Sequence, residues 1–171
     1  MRVCGIDPGA TGAICVLDSH DPAHVALLDL KKHNLWYIDH WLGAELFGAI
    51  GGGEKHIWIE DVHSMHGMSA KSNFGFGKNV GMITTIAELL LKDSPHIVTP
   101  KVWQKYIGVT VKGKSIKKEV AKIAQGLYPN AELHGKRGGL LDGRADALMI
   151  AHYGLKHWEI DEITKIQLEE E

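Results

Sequence analysis

Three apolar runs crowd into the first thirty residues, at 2–7, 11–18 and 24–30, and the turns between them are short. Gaps of a few residues can join antiparallel strands, whereas a parallel pair needs a crossover of a dozen residues or more. Asp7-Pro8-Gly9-Ala10 makes the first turn, and Asp18-Ser19-His20-Asp21-Pro22 separates the second run from the third. The chain is therefore expected to open as a three-strand antiparallel meander.

The remaining elements follow from periodicity. Residues 36–50 carry helical apolar spacing (Trp36, Ile38, Trp41, Leu42, Leu46) and stop at Gly51-Gly52-Gly53. Residues 56–61 form a fourth strand that ends in two acids, and 74–92 form a helix with Val80, Ile83, Ala87, Leu90 and Leu91 on its apolar positions. A short fifth strand, 96–98, runs into Thr99-Pro100, an N-cap with proline at the first helical position. Short helices over 100–106 and 115–127 and a closing helix over 140–157 complete the pattern. This is the element order of an α/β, RNase H-like fold: a five-stranded mixed sheet, three antiparallel strands first, flanked by helices. Residues 1–157 make the domain, and 158–171 an acidic tail or helix end.

The 171 residues suffice for one core. No apolar stretch approaches the roughly 20 residues that span a bilayer, and the N-terminus lacks a signal-peptide pattern. A cytosolic protein is expected, from a bacterial or phage-infected cell, with no membrane partner and no small-molecule substrate. Cys4 and Cys15 lie in neighbouring runs and could face each other across a hairpin, but two buried thiols is the preferred reading. His63 and His66 have no further ligands nearby and read as loop residues.

A net charge of −2 hides an asymmetry. Between Lys101 and Lys122 seven lysines meet one acid, Glu119, a local charge of +6. Between Glu159 and Glu171 six acids meet one lysine, giving −5. A basic stripe on a near-neutral chain is the footprint of a phosphate contact. Lys101, Lys105, Lys112, Lys114, Lys117 and Lys118 are its candidates, with Ser115 expected to cap the following helix. Trp103 and Tyr106 within the stripe read as core residues. Lys71, Phe74, Phe76 and Lys78 interleave charge with aromatics that can stack on unpaired bases, although one of the two phenylalanines could equally be a hydrophobic staple.

The chemistry rests on acids that end strands or open a helix. Asp7 closes the first strand in Gly-Ile-Asp-Pro-Gly. Glu60 closes the fourth, with Asp61 as an alternative, since alternation lets only one of the pair face a site shared with Asp7. Asp142 and Asp146, four apart, share a helix face with Cβ atoms about 5–6 Å apart. Like charges so placed repel unless a cation neutralises them, and Asp146 leads directly into the apolar run Ala147-Leu148-Met149-Ile150-Ala151. Magnesium and manganese prefer such hard oxygen donors, and two cations held by shared carboxylates are a known means of phosphodiester hydrolysis.

Gly-Ile-Asp-Pro-Gly, Ile-Glu-Asp after the fourth strand and Asp-Gly-Arg-Ala-Asp-Ala-Leu in the last helix resemble the RuvC-type Holliday-junction resolvases, especially compact phage-type ones. The match runs to about His157. The resemblance implies a homodimer that binds four-way branched DNA and nicks two strands symmetrically with two Mg²⁺ or Mn²⁺ ions per site. It also implies that Asp7, Glu60 and Asp146 are catalytic metal ligands. Many relatives carry a fourth acid three residues before the last, where this chain has Gly143, so Asp142 is the substitute. The helix over 74–92, with Gly77 and Gly81, would correspond to the dimer contact. Three rivals stand beside this reading: a broader branched-DNA or RNA nuclease of the same fold, an actin-like ATP-binding kinase domain, whose phosphate hairpin resembles residues 7–12, and a non-catalytic junction-binding protein.

Overall fold

The computed structural model describes residues 1–48, 53–62 and 69–169, with backbone alone over 161–169. His63, His66, Gly51 and Gly52 lie outside the described residues. Five strands, β1 (Arg2–Ile6), β2 (Ala13–Asp18), β3 (Asp21–Asp29), β4 (Lys55–Glu60) and β5 (His96–Val98), form one sheet in the order β3-β2-β1-β4-β5. The first three are antiparallel neighbours, and β4 and β5 add in parallel to β1. This is the expected mixed sheet.

The second turn is tighter than expected: β3 begins at Asp21, so Asp21 and Pro22 belong to the strand. Its first three residues are exposed, at an edge where proline removes no needed ladder bond.

Period-two alternation splits the sheet residues between two cores. Cys4, Ile6, Ile14, Val16, Ile57 and Ile59 pack with helices α1 (Leu35–Phe47) and α2 (Ala70–Leu91). Val3, Cys15, Leu17 and Val98 face the other way, toward α3 (Pro100–Tyr106), α4 (Ile116–Leu127) and α5 (Asp142–Glu169). The cysteines, both free and buried, therefore sit on opposite faces and do not confront each other. Their register explains it, because Cys15 pairs with Gly5 while Cys4 pairs with Val16.

The helices have local causes. Asn34 accepts a hydrogen bond from the Tyr37 N–H at 2.9 Å and starts α1, which buries Ile38, Leu42 and Leu46 at successive turns. Ser69 does the same for α2 through the Ser72 N–H, so that helix begins four residues before the expected Phe74 and takes in Lys71. It ends at Lys92, in the left-handed region with φ 56°. Thr99 stands at the N-cap of α3 without a side-chain cap, followed by Pro100. Ser115 likewise makes no side-chain cap on α4. The Glu119 carboxylate instead gathers the N–H groups of Thr110 and Val111, pinning the segment ahead of the helix.

Helix α5 is longer than expected, running on through the acidic end to Glu169. It lies hard against β1 because glycine leaves room. A Cβ on Gly5 would stand 2.2 Å from the Ala151 nitrogen, and one on Gly154 would stand 2.3 Å from Trp58. Ala145 and residues 147–151 are buried against the sheet in consequence.

Candidate active site

Parallel pairing of β1 with β4 sets Ile6 beside Ile59, so the next residues, Asp7 and Glu60, emerge side by side at the same end of the sheet. Both belong to the face toward which Val3 and Trp58 point, where α5 lies. Asp61, one residue on, takes the opposite alternation, and its N–H donates to the Val98 carbonyl at 2.7 Å. Of the two neighbouring acids, Glu60 is therefore the one on the sheet face shared with Asp7.

Each carboxylate is oriented by one donor. The Asp7 Oδ1 accepts the Gly9 N–H at 2.8 Å, which folds the Asp-Pro-Gly turn back on itself. The Glu60 Oε1 accepts from the indole Nε1 of fully buried Trp103 at 2.9 Å. A buried indole N–H needs an acceptor, and here it fixes an acid while its ring fills the core. The second oxygen of each acid remains for another ligand.

Asp146 projects from the first turns of α5, between buried Ala145 and Ala147. Burial raises the pKa of Glu60 to about 7, and the Asp7 charge adds to it against the opposing Trp103 bond. Asp146 rises to about 8, through burial first and then the charges of Asp7 and Glu60. Burial also lifts Asp7, less so because the Gly9 N–H and Lys117 favour its charged form. Asp7 thus acts on both Glu60 and Asp146, and Glu60 on Asp146, which places the three acids within electrostatic reach of one another in poorly solvated surroundings.

Asp142 joins the group one helical turn earlier and is ion-paired with Lys117 from the start of α4. The Lys117 pKa is raised by that contact first, and also by the charges of Asp146 and Asp7. The expected phosphate contact Lys117 thus brings its ammonium to the acids. Position 143 has no room for a side chain: a Cβ there would lie 2.2 Å from the Thr11 carbonyl oxygen. Only glycine lets the start of α5 rest on the β1–β2 turn. Arg144 anchors the same corner, with a bidentate pair to Asp29 at 2.7 and 3.0 Å and a bond to the Glu132 carbonyl.

Among the described residues no group of three or more His, Cys, Asp or Glu side chains is close enough, as they stand, to hold one metal ion. The donor set nevertheless fits a hard divalent cation. It is all carboxylate oxygen, its charges are held together against burial, and one half-exposed ammonium is the cation found among them.

The other expected contacts are spread around this edge. Lys101 and Lys105 are exposed on α3, four apart and turned away from buried Trp103. Lys112, Lys114 and Lys118 are exposed around the start of α4, beside Lys117. Lys71 and Lys78 are exposed on α2; Phe74 is 77% exposed there, whereas Phe76 is half-buried. Tyr106 is not a core residue: it is 44% exposed at its place on the end of α3, with its ring edge-on to Tyr153 at 5.2 Å.

A mixed five-stranded sheet in the order β3-β2-β1-β4-β5, flanked by helices, is the RNase H-like fold. Within that class the fold is that of RuvC. The structure of Thermus thermophilus RuvC in complex with a Holliday junction substrate superposes with a TM-score of 0.57, at 18% identity, over 94% of this chain and 96% of that one. A second Thermus thermophilus RuvC structure gives 0.51 at 16% identity, over 92% and 96%. No family model and no curated protein sequence matches the chain. Among the described residues no helix is long and apolar enough to cross a membrane.

Proposed function

We propose that this chain is a metal-dependent DNA endonuclease that resolves four-way junctions as a homodimer by symmetric phosphodiester hydrolysis. The observation that carries the reading is the convergence of Asp7, Glu60 and Asp146, from β1, β4 and α5, in one poorly solvated volume where each raises another's pKa or has its own raised. A structural ion-pair network would hold comparable numbers of both signs, whereas among the described residues the ammonium that acts on these acids is that of Lys117.

Asp7, Glu60, Asp146 and Asp142 would hold two Mg²⁺ or Mn²⁺ ions. Such ions, when bound, supply a hydroxide-like nucleophile and neutralise charge on the scissile phosphate. The chain's own residues do the rest. Trp103 holds one oxygen of the Glu60 carboxylate, and the Gly9 N–H does so for Asp7, so the orientation of both acids is set by the fold. Lys117, which pairs with Asp142 beside the acids, would be placed to meet the phosphate. Lys112, Lys114 and Lys118, with Lys101 and Lys105, would hold the phosphates flanking the cut, while Lys71, Lys78 and Phe74 would contact the junction from α2.

Homodimer formation draws support from α2, which buries nothing before Ile83, and from Gly77 and Gly81, which have open space where a side chain would stand. A cytoplasmic location belongs to the same reading. The test is a labelled four-way junction incubated with magnesium, manganese or chelator, beside Asp146→Asn. Paired nicks that need metal and vanish in the variant, with linear duplex spared, are the expected result. Equal cutting of forks and flaps would leave a broader nuclease, and a junction bound but never cut would end the catalytic reading.

A further inference from the structure

A concavity adjoins the β1–β2 turn, which also carries Asp7 at its start. It is a cleft of about 640 Å³, within the roughly 300–1,000 Å³ range of small-ligand sites. The turn itself, at Gly9 and Ala10, makes one rim. Ile38 and Ile83, each 4% exposed, give it an apolar floor. Lys31 and Trp36 stand on the opposite rim, and Trp36 is 66% exposed. None of the lining residues is acidic.

Gly9 ties this cleft to the candidate active site. Its nitrogen lies 2.8 Å from the Asp7 Oδ1, so a residue of the cleft wall orients one of the acids. The third wall comes from α2, where Met82 lines the cleft. Lys71, Lys78 and Met82 are spaced by seven and four residues, which keeps them on one helical stripe about 16 Å long with Phe74 beside it. A strand that followed this stripe from the exposed half of α2 would arrive at the cleft and then cross the turn to the acids.

Resting on the nuclease reading, we propose that the cleft receives one unpaired nucleotide of the strand being cut. Its base stacks on the Trp36 indole, and Lys31 meets its phosphate. The apolar floor suits a base face, the rim carries an unpaired positive charge, and the lack of acids removes repulsion toward a polyanion. Trp36 lies over His40 with ring centroids 4.2 Å apart, which limits its freedom to turn away. An aromatic so exposed gains little from folding, whereas stacking on a base would bury it.

The test places 2-aminopurine at successive positions along one strand of a four-way junction and adds Asp146→Asn protein in magnesium, so that binding is read without cutting. Fluorescence at one position should change at least about twofold on binding through stacking on the indole. Trp36→Ala should abolish that change and weaken binding about fivefold, while Trp36→Phe keeps most of both. Lys31→Ala should lower the salt dependence by about one counterion. If Trp36→Ala leaves the signal at every position and the affinity unaltered while wild-type protein still cuts the junction, the inference falls and the nuclease stands. If no DNA is bound at all, both fall.

Discussion

The two ends of this molecule that would meet DNA are built on opposite principles. Around the acids, α5 lies so close to β1 and its turn that Gly5, Gly143 and Gly154 admit no Cβ. On α2 the glycines at 75, 77 and 81 have nothing within 4 Å, and nothing before Ile83 is buried. Glycine means contact in one region and open space in the other. Close packing dictates residue identity at the acids, down to which position can carry the fourth one. The first half of α2 is only partly covered by the described residues, so packing constrains its residues less.

That contrast predicts a graded series. Asp146→Asn should reduce cleavage at least about a thousandfold while leaving junction binding intact, as measured by single-turnover assays beside gel-shift titration. Gly143→Asp, which puts an acid at the position many relatives use, should not rescue activity. Its Cβ would strike the Thr11 carbonyl and cost about 3 kcal/mol, read as a lowered melting temperature.

Trp103→Phe keeps most of the ring but removes the donor to Glu60. Activity should drop about 10- to 100-fold, with metal affinity weakened in step. Loss of activity without weaker metal binding would mean that the indole serves packing alone.

The pH dependence of stability has a definite sign. Glu60 and Asp146, at about 7 and about 8 in the folded chain against ordinary values of 4.5 and 3.8, keep protons that the unfolded chain has already released. Without metal, stability should therefore fall as pH rises from about 4 to 8, seen as a declining melting temperature. Manganese at a hundred times its dissociation constant should restore about 2.7 kcal/mol at pH 8, several degrees for a chain of this size.

The smallest effects belong to α2. Phe74→Ala or Lys71→Ala should leave stability within about 0.5 kcal/mol, because neither residue is packed. Phe74→Ala should weaken junction binding about tenfold. A large loss of stability from Phe74→Ala would show that this half of the helix is buried in an assembly.

Much of this could be read along the chain, and the failures have physical causes. Alternation and turn chemistry disclose the sheet because they are local, and the acids stand out where apolar runs end. Trp103 had no such signal: an indole donor reaching an acid 43 residues away depends on β4 lying beside α3. A buried Trp that must satisfy its N–H is the one hint the sequence offers. Lys117 reads as one lysine among seven, and only the docking of α4 on α5 brings it to Asp142. Arg144 sits unremarked between two acids of interest, yet its partner is Asp29, 115 residues away. The tight β2–β3 turn was misread because proline signals a break, and at a sheet edge it need not be one.

The central claim is that Asp7, Glu60 and Asp146 form a divalent cation site. A calorimetric Mn²⁺ titration near pH 7, on wild type and on Asp146→Asn, tests it most directly. The account predicts saturable binding of about two ions per chain, with protons released as the cation displaces them from Glu60 and Asp146, and loss of most of that binding in the variant. Equal Mn²⁺ binding by both proteins, or none by wild type, would contradict it.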